Sequence, residues 1–144
     1  MIYYFTPYTK GNLGQAYNHY CNLVPNDDDW ITMVDGDIMQ LHMDWGDKWS
    51  RILQLNNNAG IVTCKTNRIA CPVQKIDNMF HECNLRDHRN FAIKLFDQYG
   101  YAVSKIKCSP NYGESCMSGF FFSFKKSTWK LMAFFMWIPI SSIK

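Results

Sequence analysis

The segment from Asp28 to Asp37 constrains the fold more than any other stretch of this chain. Its middle, Trp30 to Val34, is a short, mainly apolar run bounded by acidic residues on both sides. Such a run predicts a buried strand. The strand ends at Asp35 and Asp37, which are separated by one glycine. In open α/β sheets, ligands bind at the carboxyl ends of strands, so this turn is the first candidate for a functional site.

The chemistry of Asp35, Gly36 and Asp37 indicates a cation. Residues two apart in an extended chain point to the same side, so both carboxylates can face one ion. Gly36 allows a tight turn and leaves room for a close ligand. Hard oxygen donors suit Mg²⁺ or Mn²⁺, which bind through one or two carboxylates together with substrate phosphates. The triplet predicts a divalent-cation site that holds a diphosphate. Its alternative is an ordinary turn, since Asp and Gly are common turn residues.

Length and charge fit one domain and exclude several classes of protein. A chain of 144 residues can bury a sizeable core. The net charge is +3, and Lys125 and Lys126 are the only adjacent basic pair, so we expect no nucleic-acid partner. No charged segment followed by an apolar stretch opens the chain, which predicts no signal peptide. The longest apolar run, Leu131 to Ile140, contains Pro139 and is too short to span a bilayer.

Cysteine usage and the apolar tail complete this assignment. The six cysteines show neither a disulfide framework nor the spacing of a zinc site, so we expect reduced thiols and a cytoplasmic protein. A zinc site from Cys71, His81, Cys83 and His88 has no recognised spacing and is rejected. The apolar tail from Leu131 to Ile140 predicts packing on the sheet or on a protein partner.

Strand and helix patterns alternate along the chain. Strands are predicted over Ile2–Phe5, Trp30–Val34, Ile61–Cys64, Tyr101–Ile106 and Met117–Phe124. Helices are predicted over Gly14–Leu23 and Trp45–Leu55, from a cap at Asp87 to Tyr99, and from a Ser127-Thr128 cap onward. Ile69 to Leu85 is predicted to be a long loop of the kind that forms lids and binding loops. The alternation predicts an α/β layered domain with a mostly parallel central sheet flanked by helices.

Several segments resemble, in order, motifs of family-2-like glycosyltransferases with a GT-A fold. Asn12-Leu13-Gly14-Gln15-Ala16-Tyr17-Asn18 resembles their N-x-G-x-A-x-N segment, and Asp35-Gly36-Asp37 resembles their D-x-D motif. Ser118-Gly119, followed by Phe124-Lys125-Lys126 and Trp129, is similar to their acceptor-side stretch. Thr66-Asn67-Arg68 also resembles a loop in small members of the group. The resemblance covers roughly residues 1–135 and implies one GT-A-like (Rossmann-like) domain over residues 1–144.

The resemblance implies a metal-dependent transfer of a sugar from a nucleotide-diphosphate-sugar donor to an acceptor hydroxyl. The acceptor is a glycan, a lipid or a protein. Asp35 and Asp37 are implied to hold Mn²⁺ or Mg²⁺, with the more direct contact from Asp37. The implied nucleotide-sugar-binding residues are Thr6, Pro7, Tyr8, Asn12, Gln15, Asn18, Asp35, Gly36, Asn67, Arg68, Ser118 and Gly119.

Two departures from the family pattern leave other functions open. The first strand runs almost directly into Asn12, without the second strand whose Asp residues bind the nucleobase in typical members. After Trp129 the chain has Ala133-Phe134-Phe135 where relatives have Gly-Gly-Phe and an acidic pair that supplies the base. The catalytic base is therefore unknown. One alternative is a non-catalytic, C-terminally truncated derivative that binds nucleotide or a protein partner. Another is a nucleotidyltransferase-like enzyme, which also uses paired carboxylates and Mg²⁺.

Overall fold

Strands and helices alternate strictly in the described residues, whereas the sequence predicts two successive strands, Tyr101–Ile106 and Met117–Phe124, before the last helix. The computed structural model describes residues 1–8, 10, 12–67, 69, 71–76, 84–106 and 117–136, with the backbone alone for residues 133–136. The strands are β1 (Ile2–Phe5), β2 (Trp30–Val34), β3 (Ile61–Thr63) and β4 (Phe121–Lys125). The helices are α1 (Leu13–Leu23), α2 (Trp45–Leu55), α3 (Leu85–Tyr99) and α4 (Lys126–Met136). Within these ranges no helix is long and apolar enough to cross a membrane.

The strands form a mixed sheet in the order β1-β2-β4-β3. β1 and β2 are parallel, whereas β4 lies antiparallel to both of its neighbours, β2 and β3. The prediction of a mostly parallel central sheet is therefore wrong. The apolar sequence of β4 indicates an internal strand but not its direction, because an internal strand is covered on both faces whichever way it runs.

The predicted site residues follow or precede strand ends that all lie at one edge of this sheet. β1, β2 and β3 run in the same direction, so their carboxyl ends meet there. The segments that leave these strands begin at Thr6, Asp35 and Cys64. Because β4 runs the opposite way, its amino end, preceded by Phe120, lies at the same edge. We call it the carboxyl edge.

Both faces of the sheet are covered by helices. On one face, Trp30, Val62 and Phe121 pack against Trp49 and Leu53 of α2. On the other face, the core is formed by strand residues together with residues of α1, its C-terminal cap and α4: Ile31, Met33, Phe124, Cys21, Val24, Trp129 and Met132. The alternation of side chains along each strand places successive residues in the two cores.

A pair of buried hydroxyl groups lies at the centre of the sheet. Thr32 and Ser123 face each other across the β2–β4 ladder, and their Oγ atoms are 2.7 Å apart. The indole Nε1–H of Trp49 donates to the Ser123 Oγ at 2.8 Å. Both hydroxyl residues are 0% exposed. The first bond joins β2 to β4 and the second joins α2 to the sheet, and each such bond typically contributes about 1 kcal/mol.

The start of α3 differs from the predicted one. Asn84 is the N-cap, and its side-chain oxygen accepts a hydrogen bond from the Arg86 backbone N–H at 2.9 Å. The predicted cap, Asp87, lies in the first turn, where a negative charge favours the helix dipole. At the other end, Gly100 has a φ of 55°, a conformation that favours glycine, and it ends the helix after Tyr99.

α4 begins at Lys126, directly after β4 and ahead of the predicted Ser127-Thr128 cap. The Lys126 backbone N–H donates to the Asp29 carbonyl at 3.1 Å, and the Ser127 N–H donates to the Asp27 carbonyl at 2.9 Å. The Lys126 ammonium also donates to the Val24 carbonyl. Because the segment before β2 supplies these acceptors, the helix needs no side-chain cap of its own.

Two other predictions have different outcomes. Tyr101–Ile106, predicted as a strand, is exposed and is neither strand nor helix. Among the described residues, the sheet consists of β1 to β4, and none of these strands pairs with this segment. Met117–Phe124 is a strand only from Phe121 onward. The end of the predicted apolar tail, residues 137–140, lies outside the described residues.

Candidate active site at the carboxyl edge

The carboxyl edge brings together segments that are far apart in the sequence. Each segment directly follows β1, β2 or β3, or directly precedes β4, so the sheet topology alone places them there. Of the predicted site residues, those beside the strand ends are Thr6, Pro7, Tyr8, Asp35, Gly36, Asp37, Asn67, Ser118 and Gly119. Arg68 lies outside the described residues.

The acidic turn is joined to β4 and lies against the end of β1. The Asp35 backbone N–H donates to the Phe120 carbonyl at 2.8 Å, and the Ile38 N–H closes the turn onto the Asp35 carbonyl at 3.2 Å. A Cβ atom added to Gly36 would meet the Thr6 methyl carbon at 3.7 Å, an ordinary contact. Gly36 has no positive φ, so the turn does not require glycine for its backbone conformation. The absent side chain instead leaves the surface between Thr6 and the carboxylates open.

The electrostatics of the turn favour a cation. Partial burial, and then the neighbouring carboxylate of Asp37, raise the pKa of Asp35 above its ordinary value of 3.8. Both effects disfavour the charged form of Asp35 in the absence of a positive partner. A divalent ion between Asp35 and Asp37 would remove this repulsion, since a bound metal is the largest charge in its site. The two exposed carboxylates therefore have the donor chemistry that Mg²⁺ and Mn²⁺ require.

Tyr17 of α1, inside the Asn12–Asn18 segment, also lies near this turn. Its ring packs edge-on against Phe122, with the ring centroids 6.0 Å apart. Its hydroxyl is 4.0 Å from the position of a Cβ atom at Gly119. Burial, and then the negative charge of Asp35, raise the pKa of this hydroxyl. An apolar ring with a polar tip serves both environments, which the helical spacing alone does not reveal.

Gln74 is the site residue that sequence reasoning missed. It lies in the predicted long loop between β3 and α3, and it is 1% exposed. Its side-chain oxygen accepts from the Ser118 backbone N–H at 2.6 Å. Its side-chain nitrogen donates to the Thr63 hydroxyl at 2.8 Å and to the Ser118 carbonyl at 3.3 Å. A glutamine in an aperiodic segment gives no signal of such contacts, because they depend on tertiary structure.

α1 begins on the chain segment that leaves the carboxyl edge after β1. Asn12 is its N-cap, and the Asn12 side-chain oxygen accepts from the Gln15 backbone N–H at 3.1 Å. Asn12 and Gln15 are both exposed. The first N–H groups of a helix and its dipole favour negative charge, so this end of α1 is chemically suited to a phosphate.

The remaining predicted site residues have mixed surroundings. Asn18 lies within α1, and its side-chain oxygen accepts from the Trp129 indole N–H at 3.0 Å, which ties α1 to α4. That contact gives Asn18 a structural role. Tyr8 is 86% exposed and available for stacking. The Asn67 side-chain oxygen accepts from the Thr66 hydroxyl at 3.4 Å.

In the described part of the chain, no group of three or more His, Cys, Asp or Glu side chains is placed to hold a metal. An ion at Asp35 and Asp37 would therefore complete its shell with water or with substrate oxygens, as Mg²⁺ commonly does. Two residues of the zinc site that the sequence analysis rejects, His81 and Cys83, lie outside the described residues.

A separate groove of about 430 Å³ lies between β1 and α2. It contains none of the predicted site residues. Its lining residues are Met1, Ile2, Tyr4, Trp30, Gly46, Ser50, Leu53, Gln54 and Asn57.

Comparisons with protein-family models, with curated proteins and with solved structures give no match for this chain. Any functional assignment therefore depends on the geometry and chemistry of the carboxyl edge and on the motifs in the sequence.

Proposed function

We propose that this protein is a metal-dependent glycosyltransferase that moves a sugar from a nucleotide-diphosphate-sugar donor to an acceptor hydroxyl. The observation that carries the proposal is that three of the motif segments lie close together near the carboxyl edge. They are Asn12–Asn18, Asp35–Asp37 and Ser118–Gly119. The Asp35–Asp37 turn lies near Thr6, which a Cβ added to Gly36 would meet, and its Asp35 N–H is hydrogen-bonded to Phe120, beside Ser118–Gly119. Tyr17, inside the Asn12–Asn18 segment, lies close to Gly119. A GT-A-like architecture is part of the same proposal.

In this function, Asp35 and Asp37 would hold Mn²⁺ or Mg²⁺, and the ion would neutralise charge on the departing nucleoside diphosphate. Asp37 would make the more direct contact. The raised pKa of Asp35 supports this role, because the repulsion behind it is relieved when a cation binds. The N-terminal end of α1, with Asn12 and Gln15, would add backbone and side-chain donors for phosphate oxygens.

The other predicted site residues would contact the nucleotide, the phosphates or the sugar of the donor. Thr6, Pro7 and Tyr8 would line the nucleotide pocket, with Tyr8 stacking on the base. Asn67 and Arg68 would lie toward the phosphates, where a guanidinium suits the geometry. Ser118 and Gly119 would border the donor sugar and the acceptor, a glycan, lipid or protein hydroxyl. Asn18 is left out of this set, since its side-chain oxygen bonds to Trp129.

Transfer to a hydroxyl also needs a general base within hydrogen-bond reach of the acceptor. Three carboxylates of the chain could supply this base, and two of them, Glu82 and Glu114, lie outside the described residues. The third, Asp87, lies in the first turn of α3. The assignment of donor and metal binding is therefore independent of the identity of the base.

A thermal-shift screen with UDP, GDP, ADP and CDP, each with and without Mn²⁺, tests the proposal. At one hundred times its Kd, a ligand stabilises the folded protein by about 2.7 kcal/mol. We expect at least one diphosphate to raise the Tm in the presence of Mn²⁺ only. Asp37→Asn should abolish the shift, and Asp97→Asn, which changes an exposed carboxylate on α3, should leave it intact.

The outcomes separate the proposal from its alternatives. The metal site is excluded if no diphosphate gives a Mn²⁺-dependent shift, or if Asp37→Asn retains one. Where binding is found, sugar release from the nucleotide sugar supports a glycosyltransferase. Binding without sugar release over long incubation supports a non-catalytic binding protein. Pyrophosphate release from a nucleoside triphosphate supports nucleotidyl transfer.

A further inference from the structure

We propose that Gln74 is a positioning residue that sets the place of Ser118 and Gly119 beside the acidic turn, and thereby the binding of the donor sugar. The inference rests on the proposed function, because Ser118 and Gly119 are the residues assigned to the sugar. It adds a residue from the segment between β3 and α3 that no motif of the sequence includes.

The carboxamide of Gln74 is hydrogen-bonded to both backbone groups of one residue, Ser118. It accepts from the Ser118 N–H at 2.6 Å and donates to the Ser118 carbonyl at 3.3 Å. A residue bonded through both of its backbone groups cannot shift or rotate without breaking at least one bond. Gln74 is 1% exposed, so a broken bond would leave a buried polar group without a partner.

The orientation of this carboxamide is determined by Thr63. The Thr63 hydroxyl donates to the Phe121 carbonyl at 2.6 Å, so it accepts at the bond of 2.8 Å to the Gln74 nitrogen. The Ser118 N–H can only donate, which requires the oxygen at the other end of the carboxamide. One orientation of the amide satisfies all partners, and the alternative would oppose donor to donor.

The backbone of Gln74 is itself held. Its carbonyl accepts from the Thr66 N–H at 2.8 Å, and its N–H donates to the Cys71 carbonyl at 3.1 Å. The Ile76 N–H donates back to the Thr66 carbonyl at 2.9 Å. The side chain therefore projects from a fixed support, as a residue that positions another must do.

Gly119 is held between two fixed points. Gln74 fixes Ser118 on one side, and the bond of 2.8 Å from the Asp35 N–H fixes Phe120 on the other. A Cβ at Gly119 would lie 3.4 Å from the Phe122 ring, so the ring limits movement of Gly119 on that side. Loss of the Gln74 bonds would release the Ser118 end while leaving Asp35 and Asp37 in place. Sugar binding and diphosphate binding are therefore separable.

The test compares nucleotide sugars with their diphosphates in the presence of Mn²⁺, by calorimetry on the full chain. The pairs are UDP with UDP-glucose or UDP-N-acetylglucosamine, and GDP with GDP-mannose. Gln74→Met keeps the length of the side chain and removes both polar ends. We expect it to weaken the nucleotide sugar about tenfold, which corresponds to about 1.4 kcal/mol, and the diphosphate less than about twofold.

Two further variants keep the test decisive. Gln74→Glu keeps an acceptor for the Ser118 N–H but no donor for Thr63, and it should give the same selective loss if Gln74→Met does not fold. Thr32→Val removes a buried hydrogen bond elsewhere in the same sheet and serves as the matched control. It should lower stability without changing the ratio of the two affinities, as a purely structural effect would.

The failure of this inference differs from the failure of the proposed function. Wild-type protein that binds none of the diphosphates excludes both. Wild-type protein that binds a nucleotide sugar more tightly than its diphosphate, with the same ratio in Gln74→Met and Gln74→Glu, overturns the role of Gln74 alone. Equal affinity of the wild type for both members of every pair also overturns it, because no sugar contact then exists.

Discussion

Replacing Ser123 with alanine should destabilise this protein far more than the loss of one small hydroxyl suggests. The Ser123 Oγ accepts from the Trp49 indole at 2.8 Å and is 2.7 Å from the Thr32 hydroxyl. Ser123 and Thr32 are 0% exposed, and Trp49 is buried beside them. Alanine at position 123 would therefore leave the Trp49 indole N–H without an acceptor and the Thr32 hydroxyl without its partner, in a place that water does not reach.

The magnitude follows from these two groups. A buried polar group without a partner costs about 1 to 3 kcal/mol. We expect Ser123→Ala to lower the free energy of unfolding by about 2 to 4 kcal/mol, a large share of the stability of an ordinary domain. Thr32→Val is the matched change, because it removes a hydroxyl from the same pair but leaves Ser123 to accept from Trp49. Its expected effect is about 1 kcal/mol.

Urea unfolding followed by circular dichroism measures both effects. With an m-value of about 2 kcal/mol/M, Ser123→Ala should lower the midpoint by about 1 to 2 M urea without changing the slope. The double variant separates the shared hydrogen bond from the rest, since the residues are in contact. The reasoning is refuted if Ser123→Ala costs no more than Thr32→Val, because the indole of Trp49 then does not depend on Ser123.

Three further predictions concern the charge of Asp35, the reactivity of two thiols and the cap of α3. Without metal, Asp35→Asn should raise the free energy of unfolding at pH 7 by a few tenths of a kcal/mol, since the raised pKa of Asp35 marks a charge that the exposed turn disfavours. The gain should vanish as the pH falls below 3.8, where both folded and unfolded states are protonated, and a gain that persists in acid contradicts this origin. Burial raises the pKa of Cys21 and of Cys64 to about 12, so iodoacetamide at pH 8 should label neither thiol before unfolding. Mass spectrometry measures the labelling. If the native chain were modified as fast as the unfolded chain, these thiols would not be protected by burial. Asn84→Ala should cost about 1 kcal/mol through loss of the α3 cap, and Asp87→Ala only a few tenths; equal losses in thermal unfolding would show that Asn84 is not the operative cap.

The sequence was sufficient for much of the fold because local patterns determine much of it. The apolar run Trp30–Val34 and the helical spacing of Trp45–Leu55 match their elements to the residue. Predictions failed where distant segments decide. The direction of β4 depends on its partners, and the start of α4 depends on carbonyl groups of Asp27 and Asp29. Neither is visible in the residues of the element itself.

The candidate site divides in the same way. The place of Asp35 and Asp37 was predictable, because the end of a buried strand is a local property and strand ends share an edge. Gln74 was not predictable, since its partners Ser118 and Thr63 lie 44 and 11 residues away in the sequence. The helical spacing of α1 likewise does not indicate that the Tyr17 hydroxyl lies close to Gly119, because that proximity is tertiary.

The direct passage from β4 into α4 has a consequence for synthesis of the chain. β2 gains its second neighbour only when β4 arrives, through pairs such as Thr32 and Ser123, which are 91 residues apart. The start of α4 is bonded to the segment before β2, so that helix start must form after this pairing or together with it. During synthesis, one side of β2 therefore stays without a strand partner until β4 has been made. We expect completion of the sheet to be a late step of folding, and β2 to be the strand most exposed to wrong pairing until β4 is made.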